Sequence, residues 1–116
     1  FEMPKHILDR CEELVGKLDQ KKVLIAGVSY KPNISDVRES PAELMYEGAK
    51  ERGAMVSWHD PLVENWQTNR VDKLGKEMFD LAIIQVRHDA MDIDAIKASA
   101  KVVFDCTGTV SGVNSL

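Results

Sequence analysis

Lys31 and Arg38 stand in the run Tyr30-Lys31-Pro32-Asn33-Ile34-Ser35-Asp36-Val37-Arg38-Glu39-Ser40-Pro41, between an apolar segment and the start of a helix. Two cations at such a junction suit an anion. The helix start is signalled by Ser40-Pro41-Ala42-Glu43, which reads as a capping box with proline at the first helical position, where a missing amide hydrogen costs nothing. Unpaired amides and the helix dipole there add to the charges of Lys31 and Arg38, so phosphate is the guest the chemistry favours. Pro32 disfavours a helical backbone at Lys31, which should therefore project from an extended loop. Asp36 has Lys31 and Arg38 as possible ion-pair partners, but its expected role is to hold the turn by accepting from nearby amides.

Other chemistry-bearing residues carry weaker signals. Gly27 stands alone where a Gly-x-Gly-x-x-Gly turn would let the backbone approach a dinucleotide pyrophosphate. Asp60 ends a predicted strand, where an acidic residue can grip a ribose, but its distance from Gly27 exceeds the usual spacing of about 20 residues, so a turn at Asp60-Pro61 is expected. His6, His59 and His88 show no metal-ligand spacing. His88 alone follows a strand in a position a binding loop could use, and a surface histidine is the default reading. Cys11 and Cys106 form neither a Cys-x-x-Cys nor a zinc-like pair and read as reduced, buried, structural thiols, with no evident base to activate Cys106. Trp58 and Trp66 lack interleaved basic residues and read as packing groups.

The elements that must position the loop follow from periodicity. A chain of 116 residues with 44% hydrophobic content suits one core. Ile7, Leu8, Cys11, Leu14, Val15 and Leu18 recur at helical spacing, so 5–18 is an amphipathic helix with Pro4 in its first turn. Residues 22–28 read as a buried strand, 41–52 as a helix closed by Gly53, 54–59 as a second strand, 81–86 as a third, about 92–98 as a short helix and 102–104 as the last strand. Residues 62–78 resist assignment, and the Gly, Ser, Thr and Asn-rich tail 108–116 is expected to fray. Strands alternating with helices imply an α/β sandwich with a mainly parallel sheet, at whose carboxyl edge ligands sit where the strand order reverses. The net charge of -4 argues against a general nucleic-acid binder, and no apolar run reaches the roughly 20 residues needed to cross a bilayer, so a cytoplasmic protein is expected. The start at Phe1-Glu2-Met3, without an initiator methionine or signal-like segment, reads as a fragment.

Gly27-Val28-Ser29-Tyr30-Lys31-Pro32-Asn33, followed by Asp36-Val37-Arg38-Glu39-Ser40-Pro41, closely resembles the carboxyl-terminal domain of the UDP-glucose/GDP-mannose dehydrogenase family. Met3-Pro4, Arg52-Gly53-Ala54, Asp60-Pro61 and Phe79-Asp80-Leu81-Ala82-Ile83 extend the resemblance over about residues 3–108. It implies a Rossmann-like three-layer sandwich, with 1–20 the end of a linker or dimerisation helix and 21–116 a nucleotide-sugar-binding domain. In that family NAD oxidises a nucleotide sugar, expected to be UDP-linked in this case, to the uronic acid on a catalytic cysteine. The resemblance therefore implies a homodimeric NAD-dependent enzyme when intact, serving polysaccharide biosynthesis. This chain would be its non-catalytic part, lacking the amino-terminal NAD-binding domain and the cysteine. Carried over by motif, Tyr30 and Lys31 would contact the substrate and Arg38 would reach toward NAD. The family commonly reads Asp-Gly-Arg after the last strand where this chain has Asp105-Cys106-Thr107, so either another residue supplies the charge or the sugar differs, an N-acetylated hexosamine being conceivable. Sugar and base stay open, as does the alternative of a freestanding nucleotide-binding or regulatory module.

Overall fold

The computed structural model describes residues 3–116. Along the chain the elements are α1 (Met3–Val15), β1 (Lys22–Ala26), α2 (Pro41–Glu51), β2 (Met55–His59), β3 (Phe79–Ile84), α3 (Ile93–Ser99), β4 (Ala100–Asp105) and β5 (Asn114–Ser115). Every strand pair is parallel, in the order β2-β1-β3-β4-β5. The order reverses between β1 and β3, the neighbours joined by the Val23–Leu81 to Ala26–Ile84 register. The expected α/β sandwich is therefore present.

Strand side chains alternate between two cores, as the pleat requires. Val23, Ile25, Val56, Trp58, Leu81, Ile83 and Phe104 face α1 and α2, while Leu24, Ala26, Ala82, Ile84 and Val103 face Ile96 of α3 and Met91. Both faces of β1 and β3 are buried, which is why these strands read as unbroken apolar runs. Ile7, Leu8, Cys11 and Leu18 join the first core, and Arg52 at the end of α2 ties α1 down through Asp9 and Glu12, each at 2.8 Å. Leu14, assigned by spacing to the same stripe, is instead exposed. It lies in the last turn, before Gly16 turns the chain with a φ of 84°.

One expectation needs correction, and one unassigned segment gains a structure. The tail does not end the sheet at Phe104: Asn114 and Ser115 pair with Phe104 and Asp105 as β5, held by an Asn114 side-chain bond to Val103 O, while Val110 and Val113 pack on the second core. Residues 62–78, unassigned from sequence, run along the free edge of β2. Trp58 N donates to Asn69 O and Val71 N to Trp58 O, a single parallel bridge that covers the edge strand. Trp66 stacks edge-on against Trp58 and Tyr46, which confirms both tryptophans as packing groups.

Glycine is required where β1 ends. Gly27 has a φ of 79°, and a Cβ there would overlap the backbone O and Cγ1 of Val86. The loops after β1 and β3 are thus in contact at the switch point. Gly27→Ala is expected to destabilise the fold by about 3 kcal/mol or more, combining left-handed strain with a backbone clash, as urea unfolding would show. A loss below about 1 kcal/mol would contradict this close approach.

Candidate functional site

The loop from Gly27 to Ser40 leaves the carboxyl end of β1 and re-enters the fold at α2. Ser40 is the N-cap: its Oγ accepts from Ala42 N at 3.2 Å and donates to Ser29 O at the same distance. The capping box is half realised. The Ser40 amide donates to Val37 O, not to the Glu43 carboxylate that a reciprocal box would use. Tyr30 N donates to Asp36 O at 2.7 Å, closing the loop on itself.

Beneath this loop lies a buried polar cluster. Asp60 is fully buried and is the turn residue its position suggested, with Oδ1 accepting from Leu62 N at 2.8 Å. It also does more. Its Oδ2 accepts from Val28 N and from His88 Nε2, both at 2.8 Å, joining the ends of β1, β2 and β3 through one carboxylate. His88, read from sequence as a surface residue, is only 1% exposed. Its Nδ1 accepts from Asn33 N at 2.8 Å, and because an amide nitrogen always donates, the ring proton must sit on Nε2. Nε2–H then serves Asp60 and, at 3.2 Å, Ser29 Oγ.

Ser, His and Asp in contact invite a nucleophile reading, which the geometry rules out. Both partners meet the same ring nitrogen, and the Ser29 hydroxyl donates to Lys31 O at 2.8 Å. The cluster is a buried anchor. Asn33 is its outer end, with a φ of 65° that asparagine tolerates; its Oδ1 accepts from Asp89 N and its Nδ2 reaches Asp89 Oδ2. Sequence reasoning passed over Asn33, although a Pro-Asn turn is a signal for this conformation.

The anchor displays Tyr30 and Lys31 outward. Tyr30 is 49% exposed, and Lys31 Nζ lies 5.4 Å from its ring centroid, a cation–π pair. Lys31 enters none of the ion pairs found among the described residues. Arg38 differs. Its guanidinium grips Asp36 at 2.8 Å, and Asp36 also accepts from Arg38 N at 2.9 Å, so the aspartate both holds the turn and pairs with the cation. That hydrogen-bonded guanidinium pulls the Asp36 carboxyl down to about 2. Among the described residues Lys31 is consequently the cation of this loop without an ion-pair partner, and none of the clefts found there is lined by Lys31 or Arg38.

After β4, Asp105 organises a tight turn, accepting from Thr107, Thr109 and Val110 amides. The cation at this turn is Arg87, whose Nη1 donates to Thr109 O at 2.6 Å. Arg87, Asp92, Lys97 and Ser111 line a cleft of about 400 Å³ beside it. Cys106 is half-buried and not fully buried as expected; burial still pushes its thiol up to about 12, and that of fully buried Cys11 to about 12 as well. His59 Nδ1 bonds to Val71 O, a role in fastening the 62–78 segment. Among the described residues no His, Cys, Asp and Glu group is arranged for a metal, and no helix is long and apolar enough to cross a membrane.

Two measurements check these electrostatics. Carbon-detected titration should find Asp36 ionising near 2 instead of 3.8, with Arg38→Ala returning it toward 3.8; equal values in both chains would contradict the pair. Alkylation at pH 8 should be slow at both cysteines until the chain unfolds, and a rapidly labelled Cys106 would contradict its suppressed thiolate.

Comparison with known proteins agrees with this architecture. The profile of the UDP-glucose/GDP-mannose dehydrogenase family, UDP binding domain, matches residues 24–112. A UDP-N-acetyl-D-mannosamine dehydrogenase of Methanocaldococcus jannaschii is 33% identical over 89 residues, 75% of this chain and 20% of that protein. The same-named enzyme of Methanococcus maripaludis is 31% identical over 115 residues, 89% of this chain and 27% of that protein. Among solved structures, UDP-N-acetyl-mannosamine dehydrogenase from Staphylococcus aureus superposes with a TM-score of 0.77 at 25% identity, covering 98% of this chain and 30% of the other. An NDP-N-acetyl-D-galactosaminuronic acid dehydrogenase from Methanosarcina mazei gives 0.77 at 27% identity, covering 94% and 26%. The chain thus spans a fifth to a quarter of the length of these curated relatives. With β2, β3, β4, most of β1 and the switch-point loop inside the matched span, the chain belongs to the UDP-glucose/GDP-mannose dehydrogenase family, as its UDP binding domain.

Proposed function

We propose that this chain is the carboxyl-terminal, nucleotide-sugar-binding domain of an NAD-dependent UDP-sugar 6-dehydrogenase of the cytoplasm, with Tyr30 and Lys31 contacting the substrate. The observation that carries this reading is Lys31, exposed and without an ion-pair partner among the described residues, on a loop anchored at the switch point of a parallel sheet. One ammonium can meet one charge of a diphosphate, and the adjacent Tyr30 ring offers a surface to the rest of the nucleotide. Relatives named for N-acetylated sugars fit the Thr107 departure, so an N-acetylhexosamine substrate is the favoured sugar.

NAD does not fit this sheet. The contact of Gly27 with Val86 and the filling of the switch point by Asp60, His88 and Ser29 leave no cradle for a second pyrophosphate. The cofactor would be held by a partner domain, with Arg38 on the exposed side of the loop reaching toward it once released from Asp36. Residues 1–20 would be the end of a linker or dimerisation helix in a homodimeric enzyme, and 21–116 the binding domain proper. Catalysis would need residues beyond this chain, which spans about a quarter of the length of its relatives and by the resemblance lacks the catalytic cysteine.

Titration of the chain with UDP, followed by amide shifts, should perturb 30–40 first. Lys31→Ala should weaken binding about tenfold, the worth of one charge-assisted hydrogen bond. Arg38→Ala should change it by less than about twofold, because that guanidinium is spent on an exposed pair. Unchanged affinity in Lys31→Ala would remove that residue from the site.

A further inference from the structure

We propose that His88 is a positioning residue for nucleotide binding: by accepting the Asn33 amide at Nδ1 while donating to Asp60 at Nε2, it fixes the loop that presents Tyr30 and Lys31. The inference rests on the UDP reading of that loop.

Four observations converge on it. The ring is buried, so its hydrogen bonds are not exchanged for bonds to water. Its two nitrogens engage different segments, the first loop through Asn33 and the end of β2 through Asp60. The next residue, Asp89, clasps the Asn33 side chain from the same direction, so the loop after β3 holds Asn33 by backbone and side chain together. Ser29, which receives the remaining contact of Nε2–H, in turn bonds Lys31 O and Ser40 Oγ. Residues 29, 31, 33 and 40 are thereby referred to one imidazole. A lysine on a free loop would lose conformational entropy on meeting its ligand, and a loop fixed in advance removes that part of the cost. The opposed roles of the two nitrogens explain the need for histidine. Asparagine can place an acceptor near Nδ1 but has nothing at Nε2, whereas glutamine can place a donor near Nε2 but no acceptor for Asn33.

The test compares His88→Asn with His88→Gln in the full chain by three readouts: urea stability, hydrogen exchange at the Asn33 amide, and UDP affinity. Both substitutions disturb a buried site, so both should lower stability. The proposal requires them to part company elsewhere. His88→Gln should accelerate Asn33 exchange about tenfold and weaken UDP about fivefold, while His88→Asn, which loses only the Nε2 donor and leaves Asp60 its Val28 and Leu62 amides, should keep Asn33 exchange within about twofold of the parent and weaken UDP less than His88→Gln does. Affinities that follow stability in both variants, or that do not change in either, overturn the positioning role. If His88→Gln does not fold, the decision passes to His88→Asn and to His88→Ala, which removes both ring bonds while leaving the Asn33 backbone as it is. A folded His88→Ala chain with parental UDP affinity then overturns the proposal, and about a fivefold loss there with a smaller loss in His88→Asn supports it. A parent chain that binds no UDP removes the nucleotide reading itself, and with it this role; Asn33 exchange would then report only loop order.

Discussion

One buried carboxylate organises the functional end of this domain. Asp60 accepts from Val28 N, Leu62 N and His88 Nε2, so that the loops leaving β1, β2 and β3 converge on a single side chain. Taking a carboxylate out of water is costly unless its lone pairs are satisfied, and three short donors provide that here. Such a group also discriminates among conformations: moving any one of the three loops would leave a buried acceptor short of a partner. Gly27 contributes from the opposite direction, by letting the backbone after β1 touch Val86.

This arrangement changes what the switch point of the sheet means. In an open parallel sheet the crevice between diverging loops is the usual place for a ligand. Here the crevice is closed by the chain's own polar groups, and the side chains left exposed, Tyr30 and Lys31, stand at its rim. The rim is less cationic than a count of basic residues suggests. Arg38 is matched by Asp36, and a chain carrying a net charge of -4 concentrates its uncompensated positive charge at this loop in one lysine. Under the proposed function, binding by the isolated domain would be weak and charge-dependent, with a partner domain supplying the opposite wall.

Much of this was legible in the sequence. β1 and β3 were plain because strands buried on both faces are apolar throughout, and α2 because Ser40-Pro41 and Gly53 mark its ends with local chemistry. The residue types between them marked the loop as cationic, though not that Asp36 would take up Arg38. β5 was hidden because a two-residue strand has no periodicity to detect, and its burial comes from pairing with Phe104 and Asp105. Residues 62–78 have neither period because they are held by single contacts along an edge, through Asn69, Val71 and the Trp58 ring. His88 was misread for a different reason. Arg87-His88-Asp89 is polar by composition, and only the tertiary meeting of β1, β2 and β3 places its middle residue under the loop.

The central claim is that a prefixed loop offers a lysine to the diphosphate of a uridine nucleotide. Calorimetric titration of the chain with UDP and with uridine at low and moderate salt tests it most directly. The account requires UDP to bind at least about tenfold more tightly than uridine, with the difference shrinking as salt rises. Equal affinities for the two, or a preference for UDP that is indifferent to salt, would contradict it.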